Sequence, residues 1–296
     1  MDEVGDKRRW SAERRLEFIE LRAFWDGSLN RGDIRDQFGV SAPQASADIA
    51  AYNELAPGNL AYDGSLKCYR STEAFLPRLV QPSAEAYLRQ LEYAPSSFDG
   101  AGSGWLGAPP NVATTPILGR AVDAQVLREL LTVMRQGAAV EVLYQSMSPN
   151  RPAPQWRRVT PHSLATDGLR WHVRAFCHEA SSFKDFLLSR IRETGSLWPA
   201  EALGVRDVDW NTLVEVVLVP NPNLSVEQQA AVDWDYQMGG DGALRLEVRR
   251  ALLYYLRQRL RLNVDDDRPA ERPVILADPA AFETEIQRAS GAVAPL

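Results

Sequence analysis

Cysteine is scarce in this chain: Cys68 and Cys177 are two thiols among 296 residues, too few and too scattered for a disulfide framework. Long apolar runs are missing too, since none approaches the roughly 20 residues that cross a bilayer. The opening Met1–Asp–Glu–Val–Gly–Asp–Lys–Arg–Arg9 lacks the apolar centre of a secretory signal. The expectation is a cytoplasmic protein with no membrane partner. Lysine supplies only 3 of the 33 basic residues. Arginine dominance suits bidentate recognition of phosphate or carboxylate, and genome base composition explains it equally well. Catalytic signatures are also missing. There is no P-loop and no GxSxG elbow, and Gly100–Ala–Gly102–Ser–Gly104 lies in a linker rather than behind a strand. The expectation is no enzyme and no cofactor.

What is present is an ordinary globular composition, 45% hydrophobic and 24% charged, on a chain long enough for two or three domains. The net charge of −6 gives no global support for nucleic-acid binding. Its distribution says more. Residues 118–197 hold 11 Arg or Lys against 7 Asp or Glu, whereas residues 1–72 hold 10 against 12.

Residues 11–72 read as three helices and a hairpin. Ser11 caps a helix with Leu16, Phe18, Ile19, Leu21, Phe24 and Trp25 at helical spacing, and Gly27–Ser28 ends it. A short helix over Arg31–Phe38 is followed by the Gly39–Val40–Ser41 turn, and Ser41 caps a third helix over Ala42–Leu55. That is the helix-turn-helix pattern. Asp63–Gly64 then turns a strand hairpin that would form its wing. Ser41, Gln44 and Ser46 are the candidate readers of base edges. The third helix carries no Arg or Lys, so phosphate contacts would come from Lys7, Arg8, Arg9, Arg14 and Arg15, and on the wing from Lys67, Tyr69 and Arg70.

Residues 73–120 are a connector, with a helix at about Ser83–Tyr93 and an irregular linker over Ala94–Pro116. A helix at Val122–Arg135 leads into short strands at Ala139–Tyr144, Trp156–His162, Arg170–His178 and Phe186–Ile191. Alternation along the third strand puts Trp171, Val173, Ala175 and Cys177 on a core face. It puts Arg170, His172, Arg174, Phe176 and His178 on the other. All three histidines fall between positions 162 and 178. The polar face is expected to hold a planar anion through Tyr144, Ser146, His162, His172, Arg174 and Arg190, with Arg174 and Arg190 clamping a phosphate. The bland alternative is a solvated barrel face. A zinc site is the competing chemistry, but Cys177 alternates away from His172 and His178 and no CxxC or HExxH supports it. From about residue 205 a βαβαβα order indicates a small α+β domain, including an arginine-rich helix over Arg249–Leu262.

Trp171–His172–Val173, Leu143–Tyr144, the Arg158–Val–Thr–Pro–His162 turn and Phe186–Leu–Leu–Ser–Arg190–Ile191 together resemble the WYL-domain transcriptional regulators. His172 and Val173 stand where the family's signature has Tyr and Leu. The similarity is closest to the one-helix-turn-helix repressors that sit beside bacterial phage-defence operons of the BREX and CBASS types. It implies a multidomain α+β fold. The parts would be a winged helix-turn-helix (1–72), a connector (73–120), an SH3-like small barrel that senses a ligand (121–200), and a C-terminal extension (205–296). It also implies a homodimer on an inverted-repeat operator in double-stranded DNA, with a nucleotide or oligonucleotide effector at Tyr144, His162, Arg174 and Arg190. The alternative from another class is an accessory module that holds RNA or single-stranded DNA for a partner enzyme; a zinc-dependent hydrolase is a weaker third reading.

Overall fold

The structure is a computed structural model that describes residues 3–93, 107, 110–115, 118–200, 202–262 and 268–289, the side chains of residues 3–10 and of Tyr93 excepted. The expected linker Ala94–Pro116 therefore lies largely outside the described residues, as do the side chains of Lys7, Arg8 and Arg9. The chain forms two compact units, Met1–Pro116 and Ile117–Leu296. No described helix is long and apolar enough to cross a membrane.

In the first unit a long helix α1 (Glu3–Asp26) ends at Gly27, whose φ of +69° favours a residue without a side chain. A two-residue strand β1 (Ser28–Leu29) follows, then α2 (Arg31–Phe38) and α3 (Ala42–Leu55). The hairpin consists of β2 (Leu60–Asp63) and β3 (Cys68–Ser71), and β1 adds to the outer edge of β3. The sequence gives no sign of β1, because two residues carry no periodicity. Phe18, Ile19, Leu29, Ile34, Ala45, Ile49 and Tyr52 form the core. A helix α4 (Ala84–Tyr93) closes the unit.

Glu20 of α1 is fully buried and accepts four hydrogen bonds. They come from the Tyr52 hydroxyl (3.0 Å) and the backbone N–H groups of Arg78 (2.9 Å), Leu79 (2.7 Å) and Val80 (2.9 Å). Asn59 donates to the Tyr52 hydroxyl at 2.9 Å and exchanges hydrogen bonds with the Leu76 backbone. Burial and the adjacent carboxylate push the Tyr52 phenol well above its ordinary range. This network ties the segment that leaves the wing back to α1 and α3.

The second unit begins with α5 (Ala124–Gln136), capped by Asp123 and terminated by Gly137 in the left-handed conformation. Five antiparallel strands follow: β4 (Ala139–Tyr144), β5 (Gln155–Thr166), β6 (Trp171–Cys177), β7 (Ser182–Leu187) and β8 (Ile191–Trp198). Their order is β7-β6-β5-β4-β8, with one 3-10 turn at Leu188–Arg190 between the last two in sequence. That order and turn are the SH3-like small-barrel topology. Its core joins Val140, Val142, Val159, Val173, Ala175 and Phe186 to Val126, Leu130 and Val133 of α5.

A short helix α6 (Val208–Asn211) leads into β9 (Leu213–Pro220), α7 (Val226–Asp235), β10 (Leu244–Arg249), α8 (Leu253–Arg259), β11 (Val274–Leu276) and α9 (Pro279–Ala289). The strands pair antiparallel in the order β10-β9-β11 over a separate core that includes Val216, Leu218, Leu253, Phe282 and Ile286. The helix expected over Arg249–Leu262 is shorter. β10 runs to Arg249 because Leu246 and Val248 pair with Val216 and Val214, and a 3-10 turn at Arg250–Leu252 precedes α8.

Candidate nucleic-acid interface and sensor

The helix-turn-helix is built by local chemistry. Asn30 caps α2 in a reciprocal box with Asp33. Gly39 takes φ +64°, which turns the chain without the steric cost a side chain would bring. The Ser41 hydroxyl accepts the Gln44 N–H at 3.3 Å and starts α3. Ala45, Asp48, Ile49 and Tyr52 face the core, leaving Pro43, Gln44, Ala47 and Ala50 outward.

Asp48 of α3 is buried. It takes the Arg15 guanidinium bidentately at 2.7 and 3.1 Å and the Gln44 amide at 3.0 Å. Arg15 is thereby committed to an internal ion pair rather than to phosphate. Gln44 is held by its amide nitrogen, which aims its carbonyl. Ser46 back-bonds to the Ala42 carbonyl at 3.0 Å. Arg31, at the start of α2, reaches the Ser46 hydroxyl at 3.5 Å. It brings beside α3 a positive charge that residues 41–55 lack. Arg31 carries no signal along α3 itself; the packing of α2 on α3 brings it there.

On the wing, Asp63 accepts from the Ser65 and Leu66 N–H groups and the Ser65 hydroxyl, shaping a tip at which Lys67 adopts φ +54°. Leu66, Lys67 and Arg70 are exposed, and Tyr69 packs on Tyr62 at 5.0 Å. Arg70 lies 3.9 Å from Asp63 in an exposed pair, too weak to hold it away from an anion.

In the barrel, Val173, Ala175 and Cys177 face the core as the alternation requires, while Trp171 at the strand start is 53% exposed. The expectation that His172 and Arg174 lie on an open polar face is overturned: they are 2% and 0% exposed. The reason is a lid supplied by residues far along the chain. Asp207, the cap of α6, receives Arg174 Nε at 2.7 Å and Nη2 at 3.1 Å, His162 Nε2 at 3.1 Å and the Trp210 N–H at 3.1 Å. Arg174 Nη1 also lies 3.3 Å from Asp185, whose other oxygen accepts the Tyr255 hydroxyl of α8 at 2.9 Å. The His172 ring packs on Tyr255, 4.9 Å between centres. The anion expected between guanidiniums is thus provided for Arg174 by the chain's own Asp207 and Asp185. Burial opposes ionisation of Asp207, but hydrogen bonds from His162 and Arg174 and the charge of Arg174 outweigh it, holding the carboxyl down at about 2. Burial likewise lowers the His172 imidazole despite the opposing pull of Asp185, so it is neutral at pH 7.

The six expected ligand residues therefore fall into two groups. His162 and Arg174 lie under α6. His172 shares their face, under Tyr255 of α8, whereas Tyr144, Ser146 and Arg190 lie where β4 meets the turn before β8. There Leu187, the β7 partner of His172, donates its N–H to the Tyr144 hydroxyl at 3.3 Å, and Gln145 donates to the Arg190 carbonyl at 3.0 Å. The Tyr144 ring packs edge-on against Phe186 at 5.1 Å, so its hydroxyl rather than its face is available. Ser146 accepts the Ser148 N–H at 3.1 Å. The Arg190 side chain makes no hydrogen bond or ion pair among the described residues, and the buried His172 Nε2 has no partner there. Among the described residues no cluster of His, Cys, Asp or Glu is arranged to hold a metal ion. The imidazoles diverge, His178 going to the Thr160 hydroxyl at 2.9 Å.

A winged helix-turn-helix ahead of a small barrel and an α+β domain defines a class of transcription regulators. Comparison with known families agrees: residues 11–93 match the BrxR transcriptional regulator winged helix-turn-helix domain, 125–194 the WYL domain, and 213–282 the BrxR C-terminal dimerization domain. The DNA-binding transcriptional repressor CapW of Escherichia coli strain KTE188 is 43% identical over 272 residues, spanning 91% of this chain and 89% of that protein. The repressor of the same name from Pseudomonas aeruginosa is 40% identical over 268 residues, 90% of this chain and 88% of that one. The one from Stenotrophomonas maltophilia is 37% identical over 275 residues, 92% and 91%. The chain belongs to the CapW family of DNA-binding transcriptional repressors.

Proposed function

We propose that this chain represses transcription of a phage-defence or related bacterial operon by binding an inverted-repeat duplex as a homodimer. A nucleotide or oligonucleotide anion acting at the barrel would release it. The observation that carries the reading is α3 itself: a helix started by Gly39 and Ser41, with an apolar face in the core and Gln44 outward beside a wing. Gln44 with Ser41 and Ser46 would read base edges. Arg70 and Lys67 on the wing, with Arg8, Arg9 and Arg31, would meet phosphates. Few cations per subunit make one winged helix a weak binder, and two linked half-sites raise affinity without new contacts.

In the sensor, Arg190, Tyr144 and Ser146 would bind the effector. Arg174 and His162, through Asp207, would carry the change to the segment that enters the C-terminal domain. The effector then acts as a population shift between two dimer geometries. The Gln44→Ala variant should lose preference for its operator while retaining its affinity for random duplex. Arg70→Ala should weaken both and flatten the salt dependence by about one unit of slope. Titrating labelled duplexes against each variant checks this, and equal loss on both duplexes for Gln44→Ala would remove α3 from base reading.

The sensor reading predicts that Arg190→Ala leaves stability within about 0.5 kcal/mol, since its side chain has no partner to lose, yet holds the promoter shut when the signal arrives. Reporter induction together with thermal melting checks this. Normal induction in the variant would take Arg190 out of the effector site.

A further inference from the structure

The strand β10 is an outer strand of its sheet, and among the described residues no backbone hydrogen bond reaches its outer edge. Exposed edges are ordinarily blunted by proline, lysine, a bulge or a cover. Leu244–Arg–Leu–Glu–Val–Arg249 has no proline and no lysine, and its six residues pair with β9 without a register shift. Apart from the charges of Arg245, Glu247 and Arg249 the edge carries no such protection.

Its side chains are unfinished on both faces. Leu244, Leu246 and Val248 lean on the core beside Leu218, Val216 and Val214 but remain only partly buried. On the opposite face Arg245 and Glu247 are exposed, and Glu247 stands directly across from Glu215 of β9. Like charges in a facing cross-strand pair are destabilising. Arg245 offsets this only in part: it stands diagonally across from Glu215 but is hydrogen-bonded to Asp241, at 3.2 and 2.5 Å, in an exposed pair that contributes little.

We propose that β10 pairs with β10 of a second copy across a two-fold axis at Leu246, joining two three-stranded sheets into one of six strands. This rests on the homodimer reading above and names its surface. Directly opposed residues of an antiparallel pair share a face, so a two-fold axis must pass through a residue rather than between two. Centred on Leu246, the register sets Leu246 against itself and Leu244 against Val248 of the partner subunit. It also sets Arg245 against Glu247 of the partner subunit, twice by symmetry. The arriving guanidinium lies in the same cross-strand row as Glu247 and Glu215, adding a directly opposed counter-charge. Centring on Arg245 would oppose two arginines, and centring on Glu247 would oppose two glutamates and place Arg245 against Arg249 of the partner subunit. Centring on Val248 would also oppose Glu247 to Arg249 of the partner subunit, but it sets Leu246 against Arg250 of the partner subunit and pairs fewer residues of the strand, so charge and overlap together favour Leu246. The strand falls within residues 213–282, the part matched by the dimerization-domain family.

The full-length chain tests this by sedimentation equilibrium of wild type, Arg245→Glu, Glu247→Arg and an equimolar mixture of the two variants. Each single variant opposes like charges twice and should self-associate at least about tenfold more weakly than wild type. In the mixture one chain carries two glutamates and the other two arginines, so heterodimers should form with affinity near wild type. Circular dichroism of each variant alone should match wild type. If both variants dimerise as wild type does, the homodimer stands and this edge is not its interface. Weak variants that fail to rescue each other in the mixture overturn the register. A monomeric wild type would overturn the homodimer reading itself.

Discussion

Replacing Arg174 by Ala is expected to destabilise the unit over residues 117–296 by about 3–5 kcal/mol, because it leaves Asp207 and Asp185 as buried carboxylates without their cation. Asp207→Ala should cost as much, since it strands the guanidinium, the His162 ring and the Trp210 N–H together. The double variant should be far less damaging than the sum, because the charges are removed as a pair. Urea unfolding of the three proteins checks this. Additive losses would mean that the two groups do not act on each other. The linkage has a sign. Asp207 is held below its ordinary 3.8 at about 2, so its contribution, about 2 kcal/mol, is present above pH 4 and disappears as pH falls from 4 through 2. Stability of the Asp207→Ala variant should be flatter than wild type across that acid window.

The second large effect is expected at Glu20→Ala in the DNA-binding unit. Four donors converge on that carboxylate, three of them backbone N–H groups of Arg78, Leu79 and Val80. Alanine leaves buried donors unsatisfied at about 1–3 kcal/mol each, part of which water entry recovers, so a loss of about 3–5 kcal/mol is the expected result. Hydrogen exchange should show residues 76–80 and Tyr52 opening first, with duplex affinity falling only as the unit unfolds. A variant as stable as wild type would mean that the segment after the wing is held by something else.

Local signals explain how much the sequence discloses. The turn at Gly39, the cap at Ser41 and the Asp63–Gly64 hairpin are each set by neighbours within a few residues. The expected helices at Arg31–Phe38 and Ala42–Leu55 accordingly coincide with α2 and α3. The barrel strands are similarly legible in their alternation. What alternation could not show is which face of β6 remains open. That depends on Asp207, 33 residues from Arg174, and on Tyr255, 70 residues from Asp185. A polar residue on a strand's second face looks solvated until its counter-charge is located, and a carboxylate in a loop before a four-residue helix offers no periodic signal. Asp48 is buried for the same kind of reason: its partner Arg15 is on another helix, 33 residues earlier. Arg190, by contrast, is met by no carboxylate among the described residues, so no distant partner hides it.

The central claim is that two copies of this chain read a palindromic duplex through paired α3 helices. Footprinting the purified protein on DNA upstream of its own operon tests it most directly. The account predicts two protected half-sites related by two-fold symmetry, about one helical turn or a multiple of it apart, and loss of that protection in Gln44→Ala. Uniform protection of any duplex, or tighter binding to RNA or single-stranded DNA than to that region, would contradict it.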